Sequence, residues 1–139
     1  MKHKGCTSDF TSQRNRELMA AYRKAVTNTA FIDISEVSAI VADSPCSRFW
    51  VSVERATIVV SAIEQGRDVL SFMRPLRREM FEEIYQRYLR LRERDSHSRT
   101  FDLVMLAVYS PAPKFYMQPR CAMEVIYKMK KGWYERRGK

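Results

Sequence analysis

Apolar residues recur at helical spacing in three stretches of the first half of the chain, and again in three stretches of the second. Leu18, Tyr22 and Ala25 share one face of a segment over 13–27, and Phe81, Ile84, Tyr88 and Leu91 share one face over 76–94. A shorter segment over 34–43 carries Val37, Ile40 and Val41 in helical register and is matched by 100–109. By composition alone FDLVMLAVY also reads as a buried strand, and its partner's register decides for helix. The third segments start near Val53 and Pro119, with Ala56, Val59, Val60 and Ile63 forming one stripe and Ala122, Val125, Ile126 and Met129 the other.

The punctuation agrees with these boundaries. Pro75 and Pro119 suit first helical positions, Ser52 suits an N-cap, and Asp33 or Ser35 suits another. Pro45 and Pro111 end the second segments, because proline disfavours helix in the residue before it. Gly66 and Gly132 stand where a helix closes through a left-handed residue.

The two sets of three superpose on each other in sequence. Residues 44–66 read SPCSRFWVSVERATIVVSAIEQG and residues 110–132 read SPAPKFYMQPRCAMEVIYKMKKG, ungapped at an offset of 66, with six of 23 positions identical. Upstream, Tyr22 falls on Tyr88, and Ile40 on Leu106. The expectation is an all-α fold made by tandem duplication of a three-helix, helix-turn-helix-like unit. It divides into an N-terminal tail (1–12), a first unit (13–66), a linker (67–75), a second unit (76–132) and a basic C-terminal tail (133–139). The connection from Pro45 to Ser52 is longer than the three or four residues usual in a helix-turn-helix turn. Phe49 and Trp50, with Phe115 and Tyr116, read as anchors pinning that connection to a core; the rival reading is an exposed aromatic that stacks on bases.

Charge separates the halves. The net charge is +9. Residues 1–66 hold eight Lys or Arg and seven Asp or Glu, whereas residues 67–139 hold seventeen and nine. Such an excess favours anionic partners, and it serves solubility equally well. Arg87, Arg90 and Arg94 share a helix face apart from the apolar one, with Arg77 and Arg78 at that helix's start. On the third helix of the second half, Arg120, Glu124, Tyr127 and Lys131 form an outward stripe beside Lys128; Lys114 precedes it, and Arg136 and Arg137 follow in a tail containing Trp133 and Tyr134. These basic residues, with Tyr127, are the candidate nucleic-acid contacts. The equivalent stripe in the first half, Glu54, Ile58, Ser61 and Gln65, has no positive charge and is the candidate protein-interaction face, toward a second copy or another protein.

Little else in the chain carries chemistry. Cys6, Cys46 and Cys121 are widely spaced and make neither a disulfide framework nor a zinc ribbon, which suits a reducing cytoplasm. His3 and His97 sit in polar stretches, and no nucleophile, phosphate-loop or metalloprotease motif occurs. Neither enzyme activity, a cofactor, a metal nor a small-molecule substrate is expected. The longest apolar run, Leu103–Tyr109, is far below the ~18 residues of a membrane span.

The stretches SRFWVSVERATIVVSAI and RPLRREMFEEIYQRYLRLRE resemble small basic proteins, mostly without assigned function, of phages and mobile elements of gut bacteria, over roughly residues 14–95. The resemblance implies a DNA-handling accessory protein or a virion component, located in the cytoplasm or in the virion. The expected function is nucleic-acid binding, with DNA the favoured target, mainly through phosphate contacts. The alternative is a structural or assembly protein of a phage or mobile element.

Overall fold

A computed structural model describes residues 10–28, 30 and 32–132. Among them the chain forms six α-helices and no strand: α1 (Thr11–Thr27), α2 (Ile34–Ala42), α3 (Val53–Glu64), α4 (Pro75–Arg94), α5 (Thr100–Val108) and α6 (Pro119–Lys130). The helix starts follow local chemistry. The Asp33 carboxylate accepts from the amides of Ser35 and Glu36 to cap α2, and the Ser52 hydroxyl accepts from the Arg55 amide to cap α3. Proline opens α4 and α6, where its missing N–H leaves no helical bond unmade. Gly66, at φ 81°, closes α3 with its own amide donating to Ile63 and that of Arg67 to Ala62. Gly132, at φ 71°, follows α6, its amide donating to Met129. α1 starts at Thr11, two residues earlier than the polar composition suggests, so Thr11 and Ser12 belong to the helix rather than to a tail.

Helix boundaries repeat at the offset of 66: α2 maps onto α5 and α3 onto α6 residue for residue, and α1 falls within α4. The grouping in space departs from the consecutive division at 66. The chain forms two compact units: unit 1 contains residues 1–46 and 113–139, and unit 2 contains residues 47–112. In unit 1, α1, α2 and α6 pack pairwise; in unit 2, α3, α4 and α5 do. Each half therefore keeps its first two helices together and contributes its third to the other unit. The helix-turn-helix outline is corrected accordingly, because α2 and α3 are consecutive but belong to different units. The stretch 67–75 is likewise part of unit 2 rather than a linker between units.

The loops before α3 and α6 carry the exchange. In unit 2 the Phe49 amide donates to the Val108 carbonyl at 2.9 Å; in unit 1 the Phe115 amide donates to the Ala42 carbonyl at 3.1 Å. Both partners shift by 66, and both bonds satisfy a carbonyl in the last turn of a helix that lacks an intrahelical donor. The Phe49 and Phe115 rings are buried in their respective units, at 0% and 2% exposure, as the anchor reading requires. Trp50 and Tyr116 are only half-buried.

Each unit has its own core. Unit 2 buries Phe49, Phe81, Ile84, Tyr88, Val104 and Val108; unit 1 buries Leu18, Val41, Phe115 and Ile126. Burying a large apolar side chain contributes about 1.5–3 kcal/mol, so these positions dominate each unit's stability. Arg48 is buried in unit 2 at 6% exposure, where its guanidinium donates to the Phe49 and Val51 carbonyls at 2.8 and 2.7 Å and lies 4.4 Å from the centre of the Tyr109 ring. Those contacts replace the water that the cation loses on burial. No helix among the described residues is long and apolar enough to cross a membrane.

Candidate nucleic-acid interface

The topology redistributes the charge. Counted by halves, the described basic residues concentrate after position 66. Counted by units, the described part of unit 1 holds nine basic and five acidic residues, and unit 2 holds eleven and nine. The exchange of third helices places basic α6 in unit 1, with α2 and with α1, itself holding four basic residues and one acid, and places α3 in unit 2, with the arginines of α4. The sequence division into one basic and one neutral unit is replaced by two units that each carry basic residues.

In unit 1 the α6 stripe is on the surface. Arg120, Glu124, Tyr127, Lys128 and Lys131 are all exposed, with Tyr127 at 60%. The helix turns Ala122 and Ile126 inward and leaves the intervening positions to solvent, as its period requires. Between α6 and the start of α2 lies an open groove of about 670 Å³. Ser35 and Ser38 line it from α2, and Arg120, Met123, Tyr127 and Lys128 from α6. The Ser38 hydroxyl is occupied, donating to the Ser35 carbonyl at 3.0 Å. The Lys131 ammonium stands 5.4 Å from the Tyr127 ring centre, which holds a cation against an aromatic face. Lys114 is half-buried, its ammonium 5.6 Å from the Tyr116 ring centre. Arg136 and Arg137 lie outside the described residues.

Lys130 was not among the residues expected to act here. It is exposed and reaches α1, donating to the Tyr22 hydroxyl at 3.4 Å with its ammonium 5.1 Å from the ring centre. It belongs to the same Lys128–Lys131 run, but only the packing of α6 on α1 gives it this partner.

In unit 2 the α4 arginines have different environments. Arg90 and Arg94 are exposed, and their side chains make no hydrogen bond or ion pair with any described residue. Arg87 is half-buried and committed: it pairs with Glu83 at 2.9 Å, donates to the Ser110 hydroxyl at 3.0 Å and to the Pro111 carbonyl, and lies 5.0 Å from the Phe49 ring centre. Its first role is to tie α4 to the loop after α5. Arg77 lies 5.0 Å from the Phe81 ring centre, and burial first, then the charge of Arg55, lower its pKa from the ordinary arginine value. A guanidinium stays charged after such a shift. Arg78 is half-buried. Arg92 lies off the basic face that the sequence marks and ties α4 to the turn after it, donating to the Tyr88 hydroxyl, the Ser98 carbonyl and the Thr100 hydroxyl at 3.2, 2.7 and 3.3 Å.

The expected protein-interaction stripe also lies in unit 2. Glu54, Ile58 and Gln65 are exposed and Ser61 is half-buried. Ile58, at 60% exposure, shares a groove of about 530 Å³ with Val69, Met73 and Phe72, the last exposed at 86%. Phe72 gave no periodic signal in the sequence, because it belongs to no helix.

Among the described residues no group of three or more His, Cys, Asp or Glu side chains is placed to hold a metal ion. Comparison with protein-family models, curated proteins and solved structures finds no match for this chain.

Proposed function

We propose that this protein binds nucleic acid mainly through phosphate contacts, with the exposed face of α6 in unit 1 as its principal surface. The observation that carries this reading is the exposed basic side chains on and just after α6, Arg120, Lys128, Lys130 and Lys131, with a single acid, Glu124, among them. Exposed cations on a helix can displace the counterions condensed on a nucleic acid, and that release drives salt-dependent binding. Tyr127, exposed among them, offers a ring face for a base or sugar. The stripe is poor in Asn and Gln, so strong base-specific readout is not expected. The 66-residue correspondence supports reading the chain as a tandem duplication whose two units have kept one scaffold and diverged in charge. DNA in the cytoplasm is the favoured target, in line with the resemblance to accessory proteins of phages and mobile elements.

The test is a fluorescence-anisotropy titration with DNA and RNA at several salt concentrations, using the intact chain and the R120A/K128A/K131A variant. Binding that weakens steeply with salt, and is much weaker for duplex DNA in the variant while its helical content is unchanged, is the expected result. Equal binding by both proteins removes α6 from the reading.

A second reading, a structural or assembly protein, is favoured by the exposed apolar pair Ile58 and Phe72 in unit 2. Contiguous exposed apolar surface marks interaction sites, and Ile58 and Phe72 line one groove. The two readings are compatible, since nucleic-acid binders are often dimers.

A further inference from the structure

One groove occurs twice in this chain, once in each unit, at the same offset of 66. In unit 1 it lies between α1 and α2 and is lined by Ala21, Lys24, Ala25, Asn28, Ile40 and Ser44. In unit 2 it lies between α4 and α5, with a volume of about 410 Å³, and the corresponding residues are Arg87, Arg90, Leu91, Arg94, Leu106 and Ser110. The two versions act as controls for each other. Alanine, lysine and asparagine complete the groove in unit 1, so the scaffold does not require three arginines in unit 2.

We propose that the α4–α5 groove is a second nucleic-acid site, one that takes a single strand; the proposal rests on the nucleic-acid reading above. The arginines stand at i, i+3 and i+7 of one helix, a span of roughly 10 Å along its axis. Three cations over that length can face a few neighbouring phosphates of one strand. Arg90 and Arg94 are exposed and have no partner among the described residues. Arg87 is held in place by Glu83 and Ser110. One wall is therefore oriented in advance and the other two cations are available. Guanidinium groups suit this task, since their planar forks match phosphate oxygens two at a time. The apolar part of the lining points the same way. Leu106 is exposed at 59%, beside half-buried Leu91. Phosphate alone would leave that surface unused, whereas a strand lays sugar and base faces against it. A duplex turns those faces inward, so it gains less here.

The experiment titrates labelled twelve-nucleotide single strands of DNA and RNA, and the matching duplex, across a salt series. The proteins are the intact chain, R90A/R94N in the groove, R67A/R74A as a control of equal charge elsewhere in unit 2, and the α6 triple variant. R90K/R94N, which copies the unit 1 residues, serves if the first groove variant is not fully folded. For R90A/R94N on single strands, the slope of log K against log salt falls by about 1.4, the release expected for two lost phosphate contacts, and affinity drops roughly tenfold. Duplex binding and the R67A/R74A control change less. Groove and control variants that behave alike overturn the single-strand site, and if the α6 variant still loses binding the general reading survives. No binding by the intact chain at low salt overturns both. A glutamate-rich peptide that competes for the groove better than the single strands also overturns the proposal, in favour of an acidic protein partner.

Discussion

The Tyr88 hydroxyl donates to the Glu64 carboxylate at 2.7 Å, joining α4 to the end of α3 in unit 2. Sixty-six residues away in both members, Tyr22 and Lys130 make the corresponding contact in unit 1, with the proton running the other way, from ammonium to hydroxyl. One tyrosine position serves a carboxylate in one unit and a cation in the other, because a phenol both donates and accepts. Glutamate at 64 against lysine at 130, with Lys128 opposite Ala62, leaves one third helix acidic at its end and the other basic.

Removing the hydroxyl should therefore cost more in unit 2. Tyr88 is fully buried, and its oxygen also accepts from Arg92. We expect Y88F to destabilise unit 2 by about 1–2 kcal/mol, the penalty for leaving these partners short of a bond. Y22F, where the distance is 3.4 Å and the partner is exposed, should stay within about 0.5 kcal/mol. Thermal melts of the two variants would check the contrast, and equal shifts would count against it.

The exchange of third helices makes a prediction that the repeat alone would reverse. Residues 47–112 are one continuous stretch holding all three helices of unit 2, whereas residues 1–66 hold two helices of unit 1 and one of unit 2. We expect the 47–112 fragment to melt cooperatively by circular dichroism and the 1–66 fragment to remain largely unfolded. A folded, monomeric 1–66 would mean that α3 can close back on α1 and α2, and that the exchange is not the only stable pairing.

The turn between α4 and α5 should be sensitive to acid. The hydroxyl and amide of Ser98 and the amide of His97 donate to Asp95, and these bonds hold its carboxyl below the ordinary pKa. Because the folded value is depressed, the stabilisation is present above the unfolded value near 3.9 and is lost as pH falls through the folded one. A carboxyl-carbon NMR titration should place the Asp95 midpoint below that of an unstructured aspartate. D95N should bring amide exchange in this turn at neutral pH close to that of the intact chain in acid. A midpoint at the ordinary value would remove the hydrogen-bond explanation.

If Ile58 and Phe72 form a contact surface, changing them should alter association and spare the fold, since both are open to solvent. I58S/F72S should shift sedimentation toward the monomer with a melting temperature within a few degrees of the intact chain. A chain that is already monomeric at high concentration would point away from self-association.

Much of this molecule could be read from its residues in order. Helix limits are set by signals a few positions long: Asp33 and Ser52 as caps, Pro75 and Pro119 at first positions, Gly66 and Gly132 as left-handed ends. The apolar stripes named Ala56, Val60, Ile84, Tyr88 and Ile126 as core because a helix face repeats every three to four residues wherever the helix ends up. The offset of 66 was legible for the same reason, and it placed Phe49 and Phe115 as equivalent anchors.

Which helices pack together was not legible. α3 and α6 have closely similar apolar faces, so either could complete either unit, and periodicity says nothing about which one does. The choice depends on the paths of the loops over 43–52 and 109–118 and on the bonds from Phe49 to Val108 and from Phe115 to Ala42, which join residues far apart in sequence. That choice then decides the charge of each unit, commits Arg87 to Ser110 while leaving Arg90 and Arg94 without partners among the described residues, and gives Lys130 its contact with Tyr22. Local sequence specifies the helices and their faces, because hydrogen bonding within a helix is local; the pairing of those faces is set by long-range packing, and only the tertiary structure decides it.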